Sequence, residues 1–465
     1  MKRRKMVESL QIQDMREKKA RTTSQDGSTT VLGIAKGFTP TDSLSLIGFR
    51  DDIVISFLVD KLAKGRAGQQ EAIAAGQSWI LELPKISHKS LAALGASFFG
   101  FAYKQRDVGL AAIKIYGNVL SDMQKCISNR EDVRRGGTVE IITLMCMFEL
   151  MTHREGTGWL SHAQMLEHLL SSFGPKRLMT ASERSLFLEQ RHLLFSRAIM
   201  TQTETCMAQP AWKSIPWELD PTSKQPIDFL MDIMCDIANY RARLRELSTS
   251  NENCQLAADL ISTLHELNDW WEDYAVESIS WCTEVKADAQ NSVMQDDDGP
   301  ILDTLFHYKD VWTAHSICFY DATRILLLEL LKAVLPCEIF AQVSLENPNR
   351  TPLLGRSSDT NALALEIIRS LDYTNRYYEN FMGTFCVALV LDVAYKALEE
   401  ESRIRRWLLG GQEAKKLAKD KSKANSPAEL PLVMLPTCQI SYERWFYQSL
   451  RCPISLLENH LPSTA

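Results

Sequence analysis

The chain has 465 residues, 45% of them hydrophobic, with 52 Lys/Arg against 58 Asp/Glu. That composition can bury a large core and excludes a disordered chain, while a net charge of −6 offers no global attraction to nucleic acid or membrane. Eleven cysteines, none before Cys126 and none in a CxxC pair, read as reduced thiols rather than a disulfide framework.

In chain order, residues 1–22 hold Lys2, Arg3, Arg4, Lys5, Arg16, Lys18, Lys19 and Arg21 against three acids. The compact Lys2–Lys5 cluster is a nuclear-import candidate; the plainer reading is a solvated terminus. No apolar stretch follows it, so a secretion signal is not expected. Thr22–Asp42 is Ser/Thr/Gly-rich and reads as linker.

From Leu44 the apolar steps become helical. Val54, Phe57, Leu58 and Leu62 form a short stripe, and Gln70–Leu83 predicts a helix stopped by Pro84. Ser87–Gln105 is Ala-rich. Ala112, Tyr116, Val119, Met123 and Ile127 recur at steps of 3 and 4, and Gly136–Thr152 is apolar almost all round, which predicts a buried helix. Beyond four closely spaced prolines (Pro210, Pro216, Pro221, Pro226), helices are predicted around Ile227–Leu244, Leu256–Trp271, Phe306–Val334 and Asn361–Leu398. Asn291–Pro300 reads as an acidic loop, Pro336–Ser358 as a Pro/Asn/Gly-rich loop, Lys415–Lys423 as a basic loop, and Tyr442–Leu450 as a short tail helix. No run of period-2 strands is visible. The apolar runs are too short to span a bilayer, which needs about 18–20 residues.

The most patterned stretch is Gly158–Trp217. Trp159, Ala163, Leu166, Leu170 and Phe173 share one helical face. Gly174 and Pro175 supply a left-handed cap and a stop, and Thr180 with Glu183 has capping-box spacing. On the next helix Phe187, Leu194 and Ala198 share a face with Arg191, which must find a carboxylate or several carbonyls if buried. Glu149 is the candidate partner. Trp212, Pro216 and Trp217 follow in a Pro-rich segment, so the whole reads as a packed helical hinge. His162 lies at the edge of the stripe and is expected to bond a neighbouring loop. His162 and His168 are six apart, which points them away from each other and argues against a metal site with His153. Trp159, Trp212, Trp217, Trp270 and Trp271 are candidates for lining a small-molecule pocket, though such residues are more often packing.

Asp51-Asp52 and Asp296–Asp298 raise an enzyme alternative, a helical cyclase holding an isoprenoid diphosphate through Mg²⁺. Their spacing does not cluster carboxylates on a helix face, and Asn268, Asp269, Glu272 and Asp273 read as a solvent side. No GxSxG, HExxH, Walker loop or dinucleotide fingerprint occurs. No catalytic residue, metal ligand or cofactor is expected.

A G-W-x-x-H helix ending in G-P, an Arg-bearing helix and then P-x-W-x-x-x-P-W resembles the second group of fungal-specific transcription factor regulatory domains. The residues that carry it are Gly158, Trp159, His162, Gly174, Pro175, Arg191, Trp212, Pro216 and Trp217. Tyr116-Gly117, Phe148-Glu149 and Ile367–Tyr373 extend it over about Leu44–Leu398. The resemblance implies an all-α array of antiparallel helical hairpins in a nuclear fungal regulator of metabolic or secondary-metabolite genes. Members usually carry six N-terminal cysteines holding two zinc ions; with no cysteine before Cys126, the expectation is a regulator's body without that DNA-reading head. The expected organisation is a basic segment and linker at 1–43, a helical regulatory domain at 44–400 with a candidate break near 206–226, and a basic loop and short helix at 401–465. Expected partners are other transcription-regulatory proteins, a DNA-binding one among them. Sequence-specific DNA binding by this chain alone, or membrane binding, is not expected. A non-DNA-binding interaction scaffold is the other alternative, and nothing sets an oligomeric state.

Overall fold

The computed structural model describes residues 50–64, 88–103, 105–128, 137–152, 158–247, 249–278, 282–288, 292, 294–296, 298–344, 357–377, 381–399, 402–405 and 407–408. The Lys2–Lys5 cluster, the linker, the helix expected at Gln70–Leu83, the basic loop and the tail helix lie outside them, as does His153. The helices are α1 (Arg50–Lys64), α2 (His88–Ala102), α3 (Arg106–Ser128), α4 (Thr138–Thr152), α5 (Gly158–Phe173), α6 (Ala181–Thr201), the short α7 (Pro210–Ser214), α8 (Pro226–Glu246), α9 (Ser250–Ser278), α10 (Val311–Val334), α11 (Cys337–Ser344), α12 (Thr360–Tyr377) and α13 (Phe381–Ala397). The protein is all-α. No described helix is long and apolar enough to cross a membrane.

Neighbours in sequence are neighbours in space through most of the array. α1 packs on α2, α2 on α3 and α4, α4 on α5, α6 on α8, and α8 on α9. α10 is the central strut of the second half, touching α8, α9, α12 and α13. Its residues Ala314–Leu328 are buried without interruption, as expected of a helix apolar on every side. α4 is likewise buried from Ile142 to Leu150.

Local chemistry sets the helix ends. Thr180 accepts from the Glu183 amide at 3.4 Å and gives its own hydroxyl to the Glu183 carboxylate at 2.7 Å, which starts α6. Asp310 accepts from the Thr313 amide and starts α10 at Val311. Gly174 ends α5 with φ 75° and ψ 164°. That is not the left-handed helical cap but the extended region at positive φ, open essentially to glycine alone. Pro175 then opens a 3-10 turn, Pro175–Leu178, where its fixed φ suits the first helical position.

Five expectations from the sequence are corrected. Two small antiparallel pairs interrupt the helices: β1 (Cys282–Lys286) with β4 (Thr304–Tyr308), and β2 (Gln295–Asp296) with β3 (Gly299–Pro300). The acidic loop at 291–300 therefore contains a two-residue hairpin. Phe306–Tyr308, read as the start of a helix, belongs to the strand Thr304–Tyr308, whose Leu305, Phe306 and Tyr308 are buried against α12 and α10. The stretch 361–398 is two helices packed on each other, not one, and the loop at 336–358 contains α11.

Candidate functional site

Residues 116–236 join α3, α4, α5, α6 and α8 through three buried polar nodes, which contain or adjoin most of the motif residues.

The first node binds three helices. The Tyr116 hydroxyl on α3 donates to Glu149 Oε1 on α4 at 2.5 Å and lies 2.7 Å from His162 Nε2 on α5. A phenol has one proton, so with that proton given to Glu149 its oxygen accepts from His162, which places the imidazole hydrogen on Nε2. The Tyr116 ring stacks on Phe148 at 4.1 Å. Burial, then the hydrogen bond to Glu149, pushes the phenol far above its ordinary pKa. Gly158 explains itself here: a Cβ at that position would collide with the Glu149 carboxylate. His162 thus bonds a helix side chain, and His168 is exposed on the other side of α5.

The second node ties α5 and α6 to the turn after α6. Glu167 accepts from Arg197 at 2.5 Å and from the Cys206 amide at 2.9 Å. Next to it the Thr205 amide donates to Asn239 on α8 at 2.7 Å.

The third node surrounds Arg191, which is 1% exposed. Its guanidinium makes a short ion pair with Asp232, donates to the Asp228 carbonyl at 3.3 Å, and stands 3.8 Å from the Asp228 carboxylate. Lys224 reaches the other Asp232 oxygen at 2.6 Å. The Arg191 guanidinium also faces Trp217 and Phe187, at 5.5 and 5.7 Å from their ring centres. Burial opposes the arginine's charge, but Asp232 and other neighbours outweigh it and the pKa rises. Asp228 moves up because burial exceeds the pull of Arg191, and burial raises Asp236 to about 6 even though Lys213 bonds it at 2.5 Å.

The partner expected for Arg191, Glu149, is corrected: Glu149 belongs to the first node, and Asp232 with Asp228 serves the arginine. Both acids sit on α8, one turn apart, where Pro226 at the first helical position fixes the register. The signal that finds them in a sequence is the run of acids Asp228, Asp232 and Asp236, recurring at steps of four on α8.

The remaining motif residues are packing and chain-reversal elements. Trp159 is fully buried, and Trp212 and Trp217 pack against Phe187 at 6.0 and 6.3 Å between ring centres. The Pro216 carbonyl accepts from Arg184 at 2.8 Å. Segment 206–226 is a run of short helical turns laid over α6 and α8. None of the five tryptophans lines the small cavity in the second half of the array. That cavity, of about 10 Å³, lies between α10, α12 and α13 and is lined by His315, Cys318, Ile367, Leu371, Thr374 and Val390; it has room for about one water.

Asp51 and Asp52 are exposed in the first turn of α1, and Asp269 and Asp273 are exposed on α9. Among the described residues no three His, Cys, Asp or Glu side chains converge to hold a metal ion. The arrangement at the nodes clamps helices: each charged group is engaged by its own chain, and the thiols of Cys146, Cys206 and Cys235 are raised by burial, which removes nucleophilic character.

No curated protein and no solved structure matches the chain. Residues 79–347, more than half the chain and the stretch that holds all three nodes, match the family model described as the fungal specific transcription factor domain. The chain belongs to that family of fungal transcription regulators.

Proposed function

We propose that the chain is the regulatory body of a nuclear fungal regulator that acts through other transcription-regulatory proteins. The observation that carries this reading is that the family match runs unbroken from α2 to α11 and through all three nodes. Promoter reading falls outside residues 1–465, to a DNA-binding partner or to a zinc cluster encoded elsewhere, because this stretch offers no cysteine before Cys126. Base readout needs a rigid element presented to base edges. A basic arm such as Lys2–Lys5 supplies phosphate contacts that weaken steeply with salt, and suits capture by an import receptor. The organisation that fits is a basic segment and linker at 1–43, a regulatory body at 44–400 and a C-terminal segment at 401–465. Control of metabolic or secondary-metabolite genes is the regulatory role proposed.

The test is to tether the chain to a heterologous DNA-binding domain in a fungal reporter strain, beside a fluorescent fusion of the untethered chain. The reading expects a change in reporter output and nuclear fluorescence that is lost when Lys2–Lys5 are replaced by Ala. A cytoplasmic fusion, or a reporter indifferent to tethering, contradicts it. Salt-resistant binding of the purified chain to one promoter over scrambled DNA contradicts the assignment of readout to another molecule.

A further inference from the structure

α3 has two apolar faces, and the fold uses one. Ala112, Tyr116, Val119 and Met123 are buried against the array. Leu110, Ile113 and Leu120, which are 55%, 52% and 38% exposed, form a second stripe with Gly117 at steps of 3, 4 and 3. That spacing is the seam of a helix pair.

Gly117 makes the stripe more than scattered surface apolarity. A glycine inside a helix is destabilising relative to alanine, because it gives up more backbone freedom on folding. Gly100 has a reason within the subunit, since a Cβ there would stand 2.8 Å from the backbone of Gly109. Gly117 has none among the described residues, where nothing lies within 4 Å of the position its Cβ would take. It leaves a notch in the centre of an exposed apolar seam.

We propose that this face of α3 pairs with the same face of a second copy of the chain, antiparallel and about a two-fold axis. Antiparallel alignment centred near residue 115 sets Leu110 against Leu120 of the copy and Ile113 into the Gly117 notch, twice by symmetry. A two-fold axis brings like flanks together, so Asp107 meets Lys125 of the copy at both ends of the seam. Asp122 is already held by Lys89 at 2.8 Å, and among the described residues Lys125 reaches it at 3.9 Å while 77% exposed. Two like-charge approaches oppose the arrangement, Lys114 with its own copy at the axis and Arg106 with Lys125 of the copy at each end; all are solvated on long stems, where such terms are small. A 23-residue helix is about 34 Å long. A single helix pair falls below the roughly 1,600 Å² of a standard interface, so the dimer is weak and concentration-dependent.

Sedimentation velocity of the full chain over a concentration series tests this. Wild type should pass from monomer to dimer with rising concentration. Ile113→Asp with Leu120→Asp should weaken association about tenfold or more without changing the circular dichroism melt, because both side chains are exposed. Gly117→Phe should weaken it by filling the notch. Asp107→Lys should weaken it, and adding Lys125→Asp should restore it, while Lys114→Ala should tighten it. A chain monomeric at its highest soluble concentration overturns the proposal. So does a dimer indifferent to the Ile113/Leu120 pair, and a charge swap that fails to restore association overturns the antiparallel register.

Discussion

Arg191 and Asp321 are buried to nearly the same degree, at 1% and 0% exposure, yet the molecule treats their charges in opposite ways. Around Arg191 two acids on α8 and Lys224 complete a local balance. Around Asp321, in the middle of α10, neither carboxylate oxygen has a hydrogen-bond partner among the described residues. The nearby arginine, Arg324, spends its donors on the Ser357 carbonyl at 3.0 Å and on Asn268 at 2.7 Å. Burial therefore drives the Asp321 carboxyl far above the ordinary range, with Glu366 adding to the effect and Arg324 opposing it. Asp392 on α13 is intermediate: Lys396 holds one oxygen at 2.6 Å and the other has no partner among the described residues. The contrast teaches that burial alone does not decide whether a charge survives in a core. The hinge holds its charges by pairing them across helices, while the α10 core buries Asp321 without a partner among the described residues and so favours its protonated form.

The largest effect expected from breaking this contrast is at Arg191. Arg191→Met leaves Asp232 and Asp228 without their main counter-charge and should lower stability by about 3–5 kcal/mol in denaturant melts; a loss below about 1 kcal/mol would mean that the node is not holding α6 to α8. Trp159→Ala, in the same half but purely apolar, should cost a similar 3–5 kcal/mol through lost transfer energy and a cavity. Its loss should be independent of pH, since no charge is uncovered.

The apolar faces of the hinge are legible in the residue spacing alone. Trp159, Ala163, Leu166 and Leu170 occupy the buried face that their spacing predicts, and so do Phe187, Leu194 and Ala198 around Arg191. Helical period exposes apolar stripes because side chains at steps of three and four must share a face. Long-range polar pairing carries no such period. Glu149 suits Arg191 by pattern because both lie on apolar faces, but which acid meets which base depends on helix docking 37 and 41 residues along the chain. The β1–β4 pair escapes the pattern for a related reason. Five apolar-rich residues running toward a helix fit either period, and only Asp310 marks the true helix start.

A smaller effect is expected in the first node. Tyr116→Phe removes the hydroxyl shared by Glu149 and His162 and should lower stability by about 1–3 kcal/mol, with the stacking on Phe148 retained. Equal stability of the variant would show that the hydroxyl contributes nothing to joining α3, α4 and α5.

The remaining effect concerns Asp321 and is best seen as a slope. Its folded pKa lies above the unfolded value, so the native state keeps a proton that the unfolded state releases. Stability attributable to this group is present at acid pH and is lost as pH rises from the ordinary carboxylate range towards the folded pKa. Asp321→Asn should flatten that decline and leave the variant as stable as wild type, or more so, at neutral pH. A variant less stable at every pH would show that the carboxyl has a partner the geometry does not provide.

The most direct test of charge pairing in the hinge is a pair of double-mutant cycles on unfolding free energy, Arg191→Met with Asp232→Leu and Arg191→Met with Glu149→Gln. Removing both members of a true buried pair should lose far less than the sum of the single losses, because the second substitution relieves the charge stranded by the first. Coupling of about 1–3 kcal/mol is expected for Arg191 with Asp232, and additivity within roughly 0.5 kcal/mol for Arg191 with Glu149. Strong coupling to Glu149 and none to Asp232 would contradict the pairing.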